Sequence, residues 1–431
     1  MTVLVAGAGI GGLTLALSLH QAGVPVTVFE SSAEIKPLGV GINLLPHAVR
    51  ELDELGLLDR LDALGVRTAE LAYYSKRGQL IWSEPRGEAA GYRWPQFSVH
   101  RGALQMMLLE AARERLGPQG IITGRHLDAW EETADGVAAQ FSDKLTGAAV
   151  TAAGSLLVGA DGIHSALRRT LYPDEGAPIW NGAILWRGTA RAKPYLTGRS
   201  MIMAGHEFQK FVAYPISAPD GDGNATINFI AERKFAADHQ WRREDWNRPG
   251  DLADFLPQFE DWRFDWLDVP ALIRAAAAVY EYPMVDRDPL PRWSEGRATL
   301  LGDAAHAMYP IGSNGASQAI LDARVLTREI LAHGMTAEAL QAYEAERRPA
   351  TAKIVLANRQ NGPEQVMQRV EELAPDGFRR IADVMATDEL EETARRYKQL
   401  AGFDKDALNS RPSIVPAPAL PGAGPGSVPW A

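Results

Sequence analysis

Hydrophobic residues at the start of the chain form two short runs on either side of a helical pattern. The run VLVA from Val3 leads into a glycine-rich loop, residues 13–22 repeat apolar positions at helical spacing, and residues 24–30 (VPVTVFE) are mostly apolar. Apolar runs of this length are typical of strands that are buried on both faces of a parallel sheet. The pattern therefore predicts one βαβ unit.

Strand-like segments dominate the middle of the chain. Between residues 69 and 99, YYSKRGQLIW and WPQFSVH predict strands around polar turns. The run SLLVG at 155–159 predicts a buried strand. A second sheet is predicted between residues 181 and 230 from the segments ILWRGTA, SMIMAG, FVAYPIS and NATINFIA.

Helical patterns cover most of the remaining chain. They span residues 44–64 with a break at Gly56, then 100–116, 241–277, 338–358 and a long segment from about residue 315. We interpret the tryptophans of the 241–277 segment as packing residues in a helical cover: Trp241, Trp246, Trp262 and Trp266. From residue 411 onward the chain is rich in Pro, Gly, Ala and Ser, which predicts a flexible tail.

Composition narrows the function classes. The chain has 431 residues, of which 46% are hydrophobic and 23% charged, as in a globular protein with a large core. Its net charge of -10 argues against nucleic acid as the main partner. The absence of cysteine excludes disulfides, iron–sulfur clusters and cysteine-based zinc sites, and we expect no metal. The lack of a long apolar run and a strand close to Met1 predict a cytoplasmic protein with no membrane span.

The glycine-rich loop has the spacing of a nucleotide-binding motif. Gly7-Ala8-Gly9-Ile10-Gly11-Gly12 matches GxGxxG between a predicted strand and helix. Gly7 permits a tight turn, Gly9 lets the backbone approach a pyrophosphate, and Gly12 allows close helix packing. Glu30, at the end of the next strand, is placed to accept hydrogen bonds from ribose hydroxyls. The candidate cofactor residues here are Gly7, Gly9, Gly11, Gly12 and Glu30. The loop alone does not distinguish FAD from NAD, and a plain strand-turn-helix is the alternative.

Two further motifs place an aspartate after a predicted strand. GADG contains Asp161 and GDAAH contains Asp303, and the second motif is followed closely by Pro310, Gly312, Asn314 and Gly315. Open α/β sheets bind ligands at the carboxyl ends of their parallel strands. An aspartate there can accept hydrogen bonds from ribityl hydroxyls, and backbone N–H groups of the glycines can approach the flavin atoms that become negative on reduction. The alternative is that each aspartate caps the helix that follows it.

The three motifs together resemble a known family. GAGIGG, GADGIHS and LLGDAAHAMYP are similar, in order and spacing, to the fingerprints of the group A flavoprotein monooxygenases, which have the p-hydroxybenzoate hydroxylase fold. The resemblance covers about residues 1–360. It implies that the glycine loop and Glu30 hold the ADP part of FAD, and that Asp303 holds the ribityl chain. It also implies that Arg101, in HRGALQ, contacts the flavin chain or pyrophosphate and that Asp161 serves FAD and NAD(P)H binding.

Within this family a narrower resemblance concerns the substrate. WSEPRG, YPMVDRDPLPRW and PIGSNGASQAILD resemble the 5-methylphenazine-1-carboxylate monooxygenases, which hydroxylate a fused N-heteroaromatic ring. Two departures from the wider family bear on contacts of the flavin loop. Ser313-Asn314 replaces the usual glutamine-containing pair, and Leu321 stands where an acidic residue commonly precedes Asp322.

The resemblance implies an α/β fold, with a Rossmann-like FAD-binding domain, an inserted β-sheet substrate domain and a helical C-terminal segment. We expect the FAD-binding domain to comprise residues 1–72, 98–180 and 278–360. The substrate domain is expected from residues 73–97 and 181–277, the helical segment from 361–410 and the flexible tail from 411–431.

The expected reaction is hydroxylation of an aromatic or N-heteroaromatic substrate with NAD(P)H and O2. By hypothesis NADH or NADPH, as a transient co-substrate, reduces FAD, and a flavin C4a-hydroperoxide transfers one oxygen atom to the ring. The protein then has to bind the ring over the flavin and exclude water. An oxidase, an N-hydroxylase, an NAD-dependent dehydrogenase and a non-catalytic flavin protein are the alternatives. We expect small-molecule partners only, with a homodimer as one option.

The substrate pocket is expected between the flavin and the inserted sheet. Its candidate residues are Trp186, Arg187, Met201 and Tyr214, with Asn43 and Pro310 on the flavin side. The candidate catalytic residues are Tyr214, Asn43 and His306. By resemblance Tyr214 hydrogen-bonds the substrate and can help to deprotonate a phenol, and the alternative is a core aromatic. Arg187 either binds a substrate carboxylate or forms a surface ion pair, which we slightly favour. His306 is a candidate base, although a hydrogen-bonded structural histidine is the favoured interpretation.

Overall fold

The structure is a computed structural model, and it describes residues 2–236 and 248–416. The strands in this part of the chain are β1 (Val3–Ala6), β2 (Val26–Glu30), β3 (Gly41–Leu44), β4 (Val66–Thr68), β5 (Glu70–Tyr74), β6 (Leu80–Pro85), β7 (Gln96–His100), β8 (Ile121–Thr123), β9 (Arg125–Thr133), β10 (Gly136–Asp143), β11 (Ala149–Gly154), β12 (Leu156–Gly159), β13 (Ile179–Ala192), β14 (Ser200–His206), β15 (Gln209–Pro215), β16 (Ala225–Lys234), β17 (Arg263–Phe264), β18 (Leu267–Asp268), β19 (Ala276–Asp286), β20 (Ser294–Glu295) and β21 (Ala298–Leu300). The helices are α1 (Ile10–Gln21), α2 (Pro46–Glu54), α3 (Leu58–Leu64), α4 (Arg101–Leu116), α5 (Ala166–Leu171), α6 (Leu252–Phe255), α7 (Val269–Arg274), α8 (Asp303–His306), α9 (Gly315–His333), α10 (Ala337–Arg359), α11 (Gln365–Leu373), α12 (Thr387–Leu400) and α13 (Lys405–Ser410).

The nucleotide-binding half is built on a six-stranded sheet with the order β20-β21-β12-β1-β2-β8. Its pairs are parallel except for β20–β21. β1 and β12 are buried along their whole length, which explains their continuous apolar sequence. α1 packs against α4 and α9 on this sheet. The predicted βαβ unit is confirmed, and β1, β12 and β21 all end where the three motifs begin.

The second half is a seven-stranded sheet with the order β19-β13-β16-β15-β14-β5-β6. The side chains of its strands alternate between two faces. One face carries Trp186 and Phe211 and packs against an aromatic layer that includes Phe255. The opposite face carries Met201 and Tyr214 and packs partly against α11. We call this second face the pocket face.

The predicted long helix over residues 241–277 is wrong within the described part of the chain. Residues 248–277 form only short helices, α6, the 3-10 turn Leu256–Phe259 and α7, together with the hairpin β17–β18 and the start of β19. Prolines at 249, 257 and 270 interrupt the pattern because proline cannot continue a helical hydrogen-bond ladder. Trp262 is buried in the aromatic layer and Trp266 packs against it, so both are packing residues as predicted. Trp241 and Trp246 lie outside the described residues.

Several segment boundaries lie a few residues from those expected. β5 starts at Glu70 and β19 continues to Asp286, and both belong to the seven-stranded sheet. β7, by contrast, pairs with β3 and β4 in a small separate sheet, although the expected substrate segment included its first two residues. The domain boundaries follow the ends of the strands, because the backbone pairing of a strand decides which sheet its residues join.

The C-terminal residues pack back onto both halves of the structure. α11, α12 and α13 lie in the segment that was expected to be helical. The expected flexible tail from 411 is wrong for its first residues, because Ile414 and Val415 are buried in the main core and Arg411 pairs with Glu51 at 2.9 Å. Two apolar residues within the Pro-rich sequence are sufficient to anchor this part. None of the described helices is long and apolar enough to cross a membrane.

Candidate active site

The glycine loop has the geometry that its spacing predicts. Gly7 has a φ of +107°, which favours glycine, and a Cβ at Gly12 would collide with the Gly7 carbonyl oxygen. Gly9 caps α1 with a φ of −74°, and no atom lies within 4 Å of its Cβ position. Gly11 instead faces Leu301 and Ala319, so its small size serves packing between α1 and the following elements. The open side of Gly9, at a helix N-terminus, suits a pyrophosphate.

Glu30 is fixed beside this loop. Its Oε2 accepts a hydrogen bond from the Ala8 N–H at 2.9 Å, and its Oε1 accepts one from the Ser32 N–H at 2.7 Å. Oε1 also accepts from Ser31 Oγ at 3.2 Å, so Oε2 is the oxygen with a further lone pair for a ribose hydroxyl. Gln105 on α4 also holds the loop, because its Nε2 donates to the Ala8 carbonyl at 2.9 Å. The sequence analysis missed Gln105, although it lies four residues after Arg101 on the same helix face.

Arg101 begins α4 and is exposed, with its side chain beside Gly39. His100 caps this helix through its Nδ1, which accepts from the Ala103 N–H at 3.3 Å. The cap places Arg101 at the helix N-terminus, at the same edge as Gly39 and β3. This position is compatible with the predicted contact to the flavin chain or pyrophosphate.

Asp303 is the first residue of α8, and its carboxylate is exposed without a hydrogen-bond donor among the described residues. It faces Gly315, the first residue of α9, with 4.0 Å between its Oδ1 and the Cβ position of that glycine. A free carboxylate at the end of β21 fits hydroxyl donors such as those of a ribityl chain. The exposed Pro310 lies on the loop between these two helices.

The rest of this loop, Ile311–Asn314, is named here the flavin loop. Gly312 and Ser313 have φ values of +67° and +58°. Asn314 is fully buried, and its Nδ2 donates to the Gly312 carbonyl at 3.0 Å and to the Tyr397 hydroxyl at 2.9 Å. The Asn314 amide therefore holds the loop in shape and does not project from it toward a cofactor, while the cofactor contact predicted for this residue stays a prediction.

Asp161 supports the helix that follows it, which is one of its two proposed interpretations. Its Oδ2 accepts from the Ala166 N–H at 2.6 Å and supports the start of α5, while Ser165 caps that helix. Its Oδ1 is buried and has no hydrogen-bond partner among the described residues. Burial raises the pKa of this carboxyl, although its hydrogen bonds act in the opposite direction. This oxygen lacks a donor but is closed off from solvent, so a contact of Asp161 with FAD or NAD(P)H stays a prediction.

Arg168 connects the two aspartate motifs. Its Nη1 donates to the carbonyls of Ala304 and Ala305 at 3.0 and 3.1 Å, and its Nε donates to Glu175 at 2.6 Å. The guanidinium is almost completely buried. Arg168 thereby fixes the α8 turn, which carries Asp303, against the GADG loop.

His306 has a structural environment, and its proposal as a catalytic base is not supported. The ring is buried, its Nε2 lies 2.5 Å from Asp322 Oδ2, and Arg347 Nε lies 2.7 Å from the other oxygen of Asp322. Although burial acts to raise it, the pKa of Asp322 is lowered by His306 and Arg347. The Gly302 N–H also donates to Asp322, so this carboxylate is the anchor of the loop before Asp303.

Alternation along β13 separates two of the predicted substrate residues. Trp186 stacks on Phe255 with 4.9 Å between ring centroids, on the aromatic face of the sheet, so its predicted substrate role is wrong. Arg187, the next residue, lies on the opposite face, where its Nη2 donates to the Gly41 carbonyl at 2.8 Å. Residues that are adjacent along a strand cannot both reach one pocket.

Arg187 and Tyr214 are neighbours on the pocket face. Burial lowers the pKa of Arg187, and its guanidinium also hydrogen-bonds the Tyr214 hydroxyl. Its Nε is buried with no partner, and no carboxylate of the described residues pairs with it. The surface ion pair that we slightly favoured for Arg187 is therefore wrong. Burial raises the pKa of Tyr214 to about 12, against the opposing effect of Arg187.

Met201 and Asn43 complete the predicted set. Met201 pairs with Leu71 in register, and both lie on the pocket face with Tyr214. Asn43 lies on β3, where its Oδ1 accepts from Ser98 Oγ at 2.7 Å. Asn43 thus lies in the small sheet formed by β3, β7 and β4, and its catalytic role stays a prediction. A cavity of about 20 Å³ remains between the pocket face and the flavin loop, and its lining includes Leu71, Tyr73, Met201, Met203, Ser313 and Tyr397.

Comparison with known proteins identifies this arrangement. The family model described as FAD binding domain matches residues 1–177 and 283–358, which contain all three motifs. The chain belongs to the FAD-dependent monooxygenases of this family. The resemblance to the group A flavoprotein monooxygenases is thereby confirmed, as is the predicted α/β fold.

The relatives of this monooxygenase are aromatic hydroxylases. It is 49% identical over 361 residues to a phenazine 1,6-dicarboxylic acid hydroxylase of Lysobacter antibioticus, covering 83% of this chain and 89% of the relative. It is 33% identical over 426 residues to a 3-amino-4-hydroxybenzoate 2-monooxygenase of Streptomyces platensis, covering 95% and 98%. Among solved structures, Klebsiella pneumoniae HpxO complexed with FAD and uric acid has a TM-score of 0.70 at 26% identity, covering 95% of each chain.

FAD is the cofactor of this family, and the residues present fit it. The open approach at Gly9 and the free carboxylate of Asp303 supply contacts that a dinucleotide needs. Gly7 and Gly12 are confined to glycine by the backbone itself. These features lie at the carboxyl ends of β1 and β21, at one edge of the parallel sheet.

Proposed function

We propose that this monooxygenase hydroxylates a planar, fused N-heteroaromatic acid that binds between the flavin loop and the pocket face. The observation that carries the proposal is the environment of Arg187. This cation is partly buried, its Nε is unpartnered, and its neighbours are the Gly41 carbonyl and Tyr214 rather than a carboxylate. A desolvated cation without a counter-ion favours an anionic ligand. The substrate carboxylate supplies that counter-ion.

The middle of the pocket face suits a flat ring. Met201, Met203 and Leu71 are buried there beside Tyr73. The cavity at these residues has about 20 Å³ and is also lined by Glu84, Arg86 and Lys398, so a fused ring requires it to widen. Methionine side chains are polarisable and adapt their shape, so they pack well against aromatic faces. The name of the Lysobacter relative, a hydroxylase of a phenazine dicarboxylic acid, supports a fused ring that bears carboxylates.

The chain's own residues bind and orient this substrate. When bound, FAD supplies the hydride and oxygen chemistry. Because the pKa of Tyr214 is about 12, its hydroxyl stays protonated at neutral pH and donates a hydrogen bond to the substrate. Deprotonation of the substrate by Tyr214, which the family resemblance had implied, would need a much lower pKa. NADH or NADPH and O2 are the co-substrates in this proposal, and a homodimer remains a prediction.

The test compares acids with the same rings lacking the carboxylate. We would measure NAD(P)H oxidation and a product one oxygen atom heavier with phenazine-1-carboxylate, phenazine-1,6-dicarboxylate, unsubstituted phenazine, 6-hydroxynicotinate and 3-hydroxybenzoate. The expected result is that kcat/KM is about tenfold or more higher for a phenazine acid than for phenazine, because a charge-assisted hydrogen bond contributes about 1.5–3 kcal/mol.

A pair of variants locates the effect. Arg187→Met should remove the preference for the acid while the flavin content is retained. Arg191→Met is the matched control, because Arg191 lies on the same strand but is exposed and pairs with Asp220. Equal turnover of phenazine and its acids, or an acid preference that survives in Arg187→Met, would contradict the proposal. Faster turnover of the single-ring acids would contradict its fused-ring part.

A further inference from the structure

Helix α12 lies directly against the flavin loop, although the family model ends at residue 358. Its residue Tyr397 is buried, and a Cβ at Gly312 would overlap the Tyr397 ring and hydroxyl. The next residue, Lys398, pairs with Glu84 at 2.7 Å at the edge of the seven-stranded sheet. The helix therefore spans from the flavin loop to the sheet, across the cavity between them.

The Tyr397 hydroxyl is the centre of a hydrogen-bond network around the loop. It accepts from Asn314 Nδ2 at 2.9 Å and donates to Asn358 Oδ1 at 2.9 Å. Asn358 Nδ2 in turn donates to the Tyr309 carbonyl at 3.1 Å. The network thus connects Asn314, at the end of the flavin loop, and Tyr309, two residues before its start, to one hydroxyl from α12.

The loop has a backbone conformation that needs such support. Gly312 and Ser313 are consecutive residues with positive φ, and Ser313 is one of three non-glycine residues with positive φ in the described chain. L residues adopt this conformation rarely, and it persists only where the surroundings hold it. Serine, unlike glycine, carries a Cβ atom that makes this backbone conformation unfavourable. An external contact from α12 is therefore needed to keep the loop in one shape.

We propose that Tyr397 is a positioning residue, which holds the flavin loop so that its backbone N–H groups face the bound FAD ring. Backbone dipoles fixed at the ring stabilise the reduced, negatively charged flavin without reorganisation. A loop that is free to move loses part of this stabilisation. Tyr397 itself does not contact the flavin in this assignment, and it acts through Asn314 and Gly312.

The test removes only the hydroxyl, in Tyr397→Phe. Tyr92→Phe is the matched control, because Tyr92 is buried in the same hydrophobic cluster as Tyr397, whereas its hydroxyl donates to the Phe403 carbonyl at 2.7 Å and not to a residue of the flavin loop. We expect Tyr397→Phe to weaken FAD binding about fivefold in a fluorescence titration of the apoprotein. We also expect the reduced flavin to be disfavoured about fivefold, which is a midpoint potential lower by ~20 mV.

Both readouts should stay within twofold of the wild type in Tyr92→Phe, although both variants lower the thermal unfolding midpoint. Equal changes in the two variants, or unchanged FAD affinity and potential in Tyr397→Phe, would overturn the proposal and leave Tyr397 with a packing role. A double-mutant cycle that combines Tyr397→Phe with Asn314→Ala tests the proposal a second time. If both residues act through one contact, their effects on the potential are not additive, and additive effects would also overturn the proposal.

Discussion

Replacing Gly9 by alanine should weaken FAD binding without harming the fold. The φ and ψ of Gly9 are −74° and −178°, which alanine adopts easily, and no atom lies within 4 Å of the new methyl group. Alanine reduces the freedom of the unfolded chain, worth about 0.4–1 kcal/mol, whereas it is a poorer helix cap than glycine by a similar amount. The two effects offset each other, so the stability of the apoprotein should change by less than ~1 kcal/mol.

The loss in cofactor affinity follows from the same geometry. The methyl group occupies the open side of the loop, where the pyrophosphate has to approach the backbone. If one charge-assisted hydrogen bond to a phosphate oxygen is lost, the cost is about 1.5–3 kcal/mol. Since about 1.4 kcal/mol corresponds to a factor of ten, the FAD dissociation constant should rise roughly 10- to 100-fold.

The assay is a titration of the apoprotein with FAD, combined with a thermal unfolding curve of the apoprotein. Gly176→Ala is the control, because Gly176 is exposed, also has no atom within 4 Å of its Cβ position and lies outside the glycine loop. Wild-type affinity in Gly9→Ala would refute the assignment of this loop to the pyrophosphate. An unstable apoprotein would refute the claim that the Gly9 site is open.

Three further changes test separate parts of the site. Asp303→Ala should purify largely without FAD, because a free carboxylate acceptor is removed; full flavin occupancy, measured by absorbance, would refute its role. Tyr214→Phe should lower product formation per NAD(P)H consumed by about tenfold while sparing FAD binding, and unchanged coupling would return Tyr214 to the core. Although burial acts to raise it, the pKa of Glu84 is lowered from its usual 4.5 by Arg86 and Lys398. The charged form of Glu84 therefore stabilises the fold above pH 4.5, and this stabilisation is lost as the pH falls and the carboxylate is protonated. The difference in unfolding midpoint between wild type and Glu84→Gln should accordingly shrink below pH 4. A difference that stays constant with pH would contradict this.

The cofactor site was predictable from the sequence because its constraints are local. The positive φ of Gly7 and the contact of Gly12 with the Gly7 carbonyl both arise within one strand-turn-helix, and each aspartate motif follows directly on its own strand. Such constraints leave a mark on residue type at fixed spacing. Gln105 was missed because its contact with the Ala8 carbonyl joins two distant parts of the chain, and a glutamine on a helix surface belongs to no recognisable motif.

The substrate wall was only half predictable, because the alternation of side chains along a strand separates two faces but does not tell which face lines the pocket. The segment ILWRGTA indicates that Trp186 and Arg187 lie on opposite faces, yet nothing in it says which face meets the flavin. That choice is made by the aromatic layer, where Phe255 covers Trp186 from about 70 residues further along the chain. The expectation of a surface ion pair for Arg187 failed for the same reason, since its surroundings come from β3.

Gly41 shows how the two halves become one site. Its N–H donates to Asn228 Oδ1 at 2.7 Å, and its carbonyl accepts from Arg187 at 2.8 Å, so both polar groups of one residue of β3 are held by the seven-stranded sheet. A Cβ at Gly41 would lie 2.7 Å from atoms of Asn228 and Tyr214. At Gly41 the backbone on the flavin side thus touches the pocket face directly. The position of the ring-binding face relative to the cofactor is therefore fixed by a contact between residues 187 positions apart, which the local patterns that predict the motifs cannot encode.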